Sequence, residues 1–175
     1  MKIFLLPGQS IKNKKWIENV EREFKKEFSN TEVMYYEHWS LGKEQTDIDL
    51  EVERFVGKVN SHNKEYIVFA KSIGTLVFLN SIKDLKKKPK GVLMVGFCYY
   101  LMNRLGYDVN DLIKNVDFRI DIYQKEFDTA GKYEELKSFS NEYISVNKYE
   151  CVGEENNDHH YANLGYLLEL VKGLV

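Results

Sequence analysis

Apolar positions along the chain follow two alternating patterns. Strand-length stretches lie at residues 3–6, 32–36, 66–70 and 92–95, and the last two are almost continuously apolar. Such runs suit strands covered on both faces. Phe118, Ile120 and Ile122 alternate with Arg119, Asp121 and Tyr123, which predicts a fifth strand, and residues 143–146 predict a sixth. Between these stretches the period changes. Trp16, Ile17, Val20, Phe24 and Phe28 share one face of a helix predicted over 13–28. Ile48, Val52, Phe55, Val56 and Val59 mark a second amphipathic helix. Residues 76–85 begin apolar on nearly every side, as a buried helix does. Further helices are predicted over 132–139 and 160–171, the last with Tyr161, Leu164, Leu168 and Val171 inward. Residues 97–101 read as an aromatic loop, and 103–115 as irregular or briefly helical.

Strand and helix thus alternate six times. That order predicts an α/β architecture of three layers, with a parallel sheet between two layers of helices. No linker or internal repeat interrupts the 175 residues, so a single domain without a substantial lid is expected. A chain of this size can bury roughly 70% of its unfolded surface.

Composition narrows the classes of function. The formal net charge is −2, and Lys86-Lys87-Lys88 is the one tight basic run, so nucleic acid is not an expected partner. No apolar stretch approaches the roughly 18 residues of a membrane span. The apolar run at 3–6 is too short for a signal-peptide core, and the two cysteines, Cys98 and Cys151, form no CxxC. A cytoplasmic protein with free thiols and no metal site is the expectation.

The chemistry centres on YIVFAKSIGT, residues 66–75. A strand runs into Ser72 and a helix leaves it, with small residues two positions either side, Ala70 and Gly74. This is G-x-S-x-G with Ala in the first glycine place, a turn that displays a nucleophilic serine. A serine that merely caps the following helix would look the same. Ligands bind at the carboxyl ends of parallel strands. Past those ends lie Pro7-Gly8-Gln9-Ser10, His38-Trp39, Ser72, Phe97-Cys98-Tyr99-Tyr100, Glu126-Phe127-Asp128 and Asp158-His159-His160. Serine, acid and histidine follow in the chain order of α/β-hydrolases. Oxyanion donors would be the backbone N–H groups of Ile73, after the serine, and of Gln9, in the turn after the first strand. Cys98 is not in an elbow and reads as a small buried residue. Adjacent Asp158, His159 and His160 rarely point at one ion, so metal binding is not expected. G-x-G-x-x-G and Walker A strings are absent, which argues against a nucleotide or flavin site.

FLLPGQS, VFAKSIGT, IYQKEFDTAG and NDHHYANL, in that order and spacing, together resemble a minimal α/β-hydrolase, close to the small serine hydrolases of the retinoblastoma-binding-protein type. The resemblance implies strand order 2-1-3-4-5-6, without the first two strands of a full hydrolase sheet. It implies Ser72 as nucleophile, His159 rather than His160 as base, and Asp128 rather than Glu126 as its partner. It implies cleavage of a small ester, thioester or amide through an acyl-enzyme, with no cofactor. A protein partner, with little turnover, is the alternative that the same resemblance admits.

Overall fold

A computed structural model describes residues 1–175. Its six strands are β1 (Lys2–Leu6), β2 (Thr31–Val33), β3 (Tyr66–Ser72), β4 (Gly91–Phe97), β5 (Ile120–Gln124) and β6 (Ile144–Lys148). All pair in parallel, in the order β2-β1-β3-β4-β5-β6. This is the order that the resemblance implied, and it puts β3 at the middle of the sheet.

The eight α-helices are α1 (Asn13–Phe24), α2 (Glu37–Ser40), α3 (Ile48–Asn60), α4 (Ile73–Ser81), α5 (Tyr99–Arg104), α6 (Val109–Ile113), α7 (Tyr133–Leu136) and α8 (Leu164–Lys172). Side chains alternate across a strand, so each strand feeds two cores. Phe4, Val68, Ala70, Val92, Met94 and Ile120 pack with Phe55 of α3, Leu76 and Phe78 of α4, and Met102 of α5. Ile3, Leu5, Ile67, Phe69, Leu93 and Val95 pack on the other face with Ile17 and Val20 of α1 and with Leu167 and Val171 of α8. The two cores explain why β3 and β4 are apolar without interruption. α4 is buried at eight of its nine positions, as its all-round apolar sequence requires.

Several boundaries differ from those the sequence predicts, each for a local reason. α1 ends at Phe24 rather than Phe28, although Phe28 N–H still bonds Phe24 O at 2.8 Å. β2 stops at Val33 because the chain turns into α2, which carries His38 and Trp39. The expected aromatic loop at 97–101 is not a loop: Phe97 ends β4 and Tyr99 begins α5. The final helix starts at Leu164, not at residue 160. The Glu154 carboxylate accepts from Ala162 N–H and Asn163 N–H, which holds that stretch out of the helix, and the Asn163 side chain then caps it by accepting from Tyr166 N–H at 3.0 Å.

Candidate active site

Ser72 is the last residue of β3 and the cap of α4. Its φ of 55° and ψ of −123° make it the one non-glycine residue in the chain with positive φ. Such a conformation costs of order 1–3 kcal/mol and persists only where the surroundings impose it. Here they do. A Cβ on Gly74 would lie 2.5 Å from the Leu6 carbonyl oxygen, so α4 can leave the strand this closely against β1 only with glycine there. The Ser72 hydroxyl caps no helix N–H, which removes the simple capping role.

Asp128 and His159 meet beyond the ends of β5 and β6. His159 Nδ1 donates to Asp128 Oδ1 at 2.8 Å and lies 3.1 Å from Oδ2. The carboxylate is buried and also accepts from Ala130 N–H and from the Tyr161 hydroxyl, each at 2.7 Å. That bond assigns the imidazole proton to Nδ1 and leaves the Nε2 lone pair free. Nε2 is buried and has no hydrogen-bond partner, so no bond joins it to Ser72 Oγ. The ring lies over Gly96: a Cβ there would be 2.7 Å from His159 Cε1, at a φ of +57° that already favours glycine. Gly96 precedes Phe97, the register partner of Ser72, so the imidazole and the serine occupy neighbouring strand ends. His160 is exposed, and Glu126 pairs with Lys148 at 2.6 Å, so neither joins this cluster.

The turn after β1 is fastened through its carbonyls. Pro7 O accepts from the Tyr36 hydroxyl at 2.7 Å. Gln9 O accepts from Trp39 Nε1 at 2.7 Å and His38 Nε2 at 2.9 Å. Ser10 O accepts from Asn13 N–H at 2.8 Å and Asn13 Nδ2 at 3.2 Å. Gln9 N–H has no acceptor. Ile73 N–H is in the first turn of α4, where helix donors lack intrahelical acceptors. The two N–H groups expected from the sequence are thus available at adjacent positions of the sheet edge.

Two buried lysines flank the cluster. Lys71 is 4% exposed, donates to Asn13 Oδ1 at 3.0 Å and lies over the Trp16 ring. Burial pulls its pKa down to about 8, against the opposing pull of Asp128 and Asp158. Lys125 is fully buried. Burial alone would lower its pKa, but hydrogen bonds to Asp158 and Glu154 outweigh that and raise it. Cys98 is buried, and burial lifts its thiol pKa to about 11, so it is a poor nucleophile. Trp16 is half-buried, and its Nε1 donates to Tyr161 O at 2.8 Å. Sequence reasoning missed Asn13, Tyr36, Lys71, Lys125 and Tyr161 as parts of the site. A lysine inside an otherwise apolar strand was a usable signal for Lys71; the others had none.

A cleft of about 430 Å³ opens between Gln9, Ile11, Trp39 and Lys43. The other principal clefts, including one of about 700 Å³ beside β2 and α3, lie elsewhere, and none is lined by Ser72, Asp128 or His159. No group of side chains is arranged to hold a metal ion.

The architecture recurs in solved structures. A YdeN-like hydrolase from Pectobacterium atrosepticum superposes with a TM-score of 0.68 at 14% identity, covering 99% of this chain and 92% of that one. A lipase-esterase related protein from Clostridium acetobutylicum gives 0.69 at 12% identity, covering 99% and 94%. The mouse α/β hydrolase domain-containing protein 10 gives 0.68 at 12%, covering 99% and 88%. The chain has the α/β-hydrolase fold. No protein-family model matches it, and neither does any curated protein sequence. The narrower likeness to the retinoblastoma-binding group rests on the sequence motifs alone.

Proposed function

We propose that this protein is a serine hydrolase that cleaves a small ester, thioester or amide through an acyl-enzyme. The observation that carries the reading is a strained serine beside an imidazole whose Nδ1 is held by a buried carboxylate and whose Nε2 is unpartnered. Ser72 Oγ attacks the substrate carbonyl carbon while His159 Nε2 takes its proton. Asp128 orients the imidazole and stabilises the imidazolium. Negative charge developing on the carbonyl oxygen is met by Gln9 N–H and Ile73 N–H. The imidazolium then protonates the leaving group as the carbonyl re-forms, giving the Ser72 ester. Water, deprotonated by His159, releases the acid product and restores the serine. In unliganded hydrolases the serine–histidine bond is commonly long and tightens with substrate, which fits the unpartnered Nε2.

The cleft beside Gln9 is our choice for the acyl group, because Gln9 N–H would hold the oxyanion at its edge. The two unpaired thiols suit a reducing, cytosolic setting. No helix is long and apolar enough to cross a membrane. A binding role with little turnover is the second reading. It is favoured by the absence of the three residues from every principal cleft.

A fluorophosphonate probe separates the two. Wild type labels on serine, Ser72→Ala does not, His159→Ala labels slowly and His160→Ala labels normally. Labelling that survives Ser72→Ala overturns the nucleophile, and an unlabelled wild type favours the binding role. A series of p-nitrophenyl esters of rising chain length then measures the acyl pocket.

A further inference from the structure

The residues on either side of His159 are tied to a single atom. Lys125 Nζ donates to Asp158 Oδ1 at 2.7 Å and to the His160 carbonyl oxygen. It also donates to Glu155 O at 2.6 Å and lies 3.2 Å from Glu154 Oε2. Three N–H donors thus face four acceptors, two of them carboxylates, around an ammonium with no solvent exposure. A buried ammonium without partners would be costly, and this one is fully partnered.

Lys125 stands three residues before Asp128, on the loop that carries the acid. All four acceptors belong to the loop that carries the histidine. The ammonium therefore joins the two loops at the point where His159 meets Asp128. The cross-link continues on both sides. Glu154 accepts from Ala162 N–H at 2.9 Å, Asn163 N–H at 2.7 Å and the Tyr149 hydroxyl at 3.1 Å. Gln124, the residue before Lys125, accepts from Phe97 N–H at 2.7 Å and donates to Gly131 O at 2.5 Å, which ties the acid loop to β4. Lys125 N–H donates to the Tyr161 hydroxyl at 3.2 Å, and that hydroxyl donates to Asp128.

The geometry points to Lys125 as a positioning residue for the reaction: a fixed internal cation that sets His159 against Asp128 and aims Nε2 at the serine. This rests on the serine-hydrolase reading for its kinetic consequence, but not for its structural one. The stretch from β6 to α8 is anchored in the core at its two ends, by Tyr149 and Tyr161, but between them Val152 is 71% exposed and residues 155–157 are exposed. Burial holds the two ends of that stretch, and the ion holds the exposed segment between them, which carries His159. An error of about 1 Å in a reacting group lowers turnover roughly 100-fold, and loss of a residue that orients another costs about 10- to 100-fold.

Lys125→Ala removes the equivalent of n-propylammonium, which supplies the test. Measured with the best p-nitrophenyl ester, kcat falls about 100-fold while KM changes less than about threefold. Added n-propylammonium restores at least a tenth of the lost rate, and propanol at the same concentration does not. In parallel, the proton on His159 Nδ1 is followed by NMR with ¹⁵N-histidine. Its hydrogen-bonded signal is present in wild type, lost in Lys125→Ala and recovered with the amine.

Should Lys125→Ala fail to fold, Asp158→Asn removes one of the two carboxylate charges facing the ammonium, at a half-exposed position. It lowers kcat about tenfold at unchanged KM, less than the loss of the whole knot. A folded Lys125→Ala with wild-type kcat and an unchanged His159 signal overturns the proposal, as does an Asp158→Asn enzyme of wild-type rate. A wild type that hydrolyses nothing and takes no fluorophosphonate overturns the hydrolase reading instead. The NMR arm still decides whether Lys125 holds His159.

Discussion

The two flanks of Ser72 are held in place by different physics. On the β1 side the turn at residues 7–10 is short and packed against Tyr36, Trp39 and Asn13. N–H and O–H donors fasten its carbonyls: Tyr36 to Pro7, Trp39 and His38 to Gln9, Asn13 to Ser10. On the β6 side the chain between Lys148 and Leu164 is long, and between the buried Tyr149 and Tyr161 it is mostly exposed. A buried ammonium with two carboxylates organises it. Each flank contains one buried lysine, and the two behave oppositely. Lys71 has a single neutral acceptor and its pKa falls to about 8; Lys125 has two carboxylates and its pKa rises. A short turn between packed side chains needs only shape and hydrogen bonds to its carbonyls. A long loop that reaches the core only at its two ends, through Tyr149 and Tyr161, needs an interaction between them strong enough to offset the entropy of ordering it.

The contrast can be broken most severely at Gly96. Gly96→Ala puts a Cβ where His159 Cε1 lies 2.7 Å away, and forces a side chain to positive φ. The imidazole shifts, and kcat for an ester substrate falls about 100-fold while the oxyanion turn is untouched. Steady-state kinetics with a thermal melt checks this; a folded variant of unchanged kcat would disprove it.

Next in size is Lys71→Met. The folded-state pKa of about 8 lies below the ordinary 10.5, so the native protein gives up this proton first. Between those values the unfolded chain binds more protons, and wild-type stability rises with pH across the window. The variant has no such charge to bury. It is more stable than wild type at pH 7 by roughly 2 kcal/mol, and the difference closes by about pH 10.5. Urea unfolding at pH 7, 9 and 10.5 measures it. The same substitution at Lys125 goes the other way and destabilises, because it removes the cation that two carboxylates and two carbonyls share.

Trp39→Phe tests the β1 flank. It removes one of the two donors to Gln9 O and leaves His38. The turn loosens, and kcat falls about tenfold, less than the roughly 100-fold or greater loss for an oxyanion donor itself. An effect on fluorophosphonate labelling equal to that of His159→Ala would contradict the separation of the flanks.

The smallest effect is expected in acid. Burial raises the pKa of Asp158, but its bond to Lys125 and the His160 N–H outweigh this and hold it below its usual value. With the folded pKa depressed, the unfolded chain takes up the proton first as pH falls. The contribution of Asp158 is present above the ordinary aspartate range and is lost below the folded value. Its side chain is 41% exposed, so screening keeps the contribution under about 1 kcal/mol. The stability of Asp158→Asn should therefore vary less between pH 5 and pH 2 than that of wild type, in denaturant titrations at each pH.

Much of this molecule was legible in the chain itself. The apolar runs of β3 and β4, the helical spacing in α1 and α3, and the all-round apolar start of α4 lead directly to a parallel sheet between helices. Ala70, Ser72 and Gly74 identify the elbow because steric crowding restricts those positions to small residues. The order of Asp128 and His159 beyond later strands follows once the sheet is parallel. Boundaries at irregular ends were harder to read: Tyr161 falls on the helical period of α8, yet Glu154 and Lys125 hold it outside the helix.

What the sequence determined by itself is the layering, the strand count and the serine turn, because these depend on local periodicity and on the size of neighbouring side chains. Only the tertiary structure decided that Lys125 joins the acid and histidine loops, that Tyr36 and Trp39 fasten the turn at Gln9, and that the Tyr161 hydroxyl shares Asp128 with His159. Those arrangements depend on the directions of side chains distant in sequence. A buried charge is tolerated only where such directions converge, and no pattern of neighbours along the chain records that convergence.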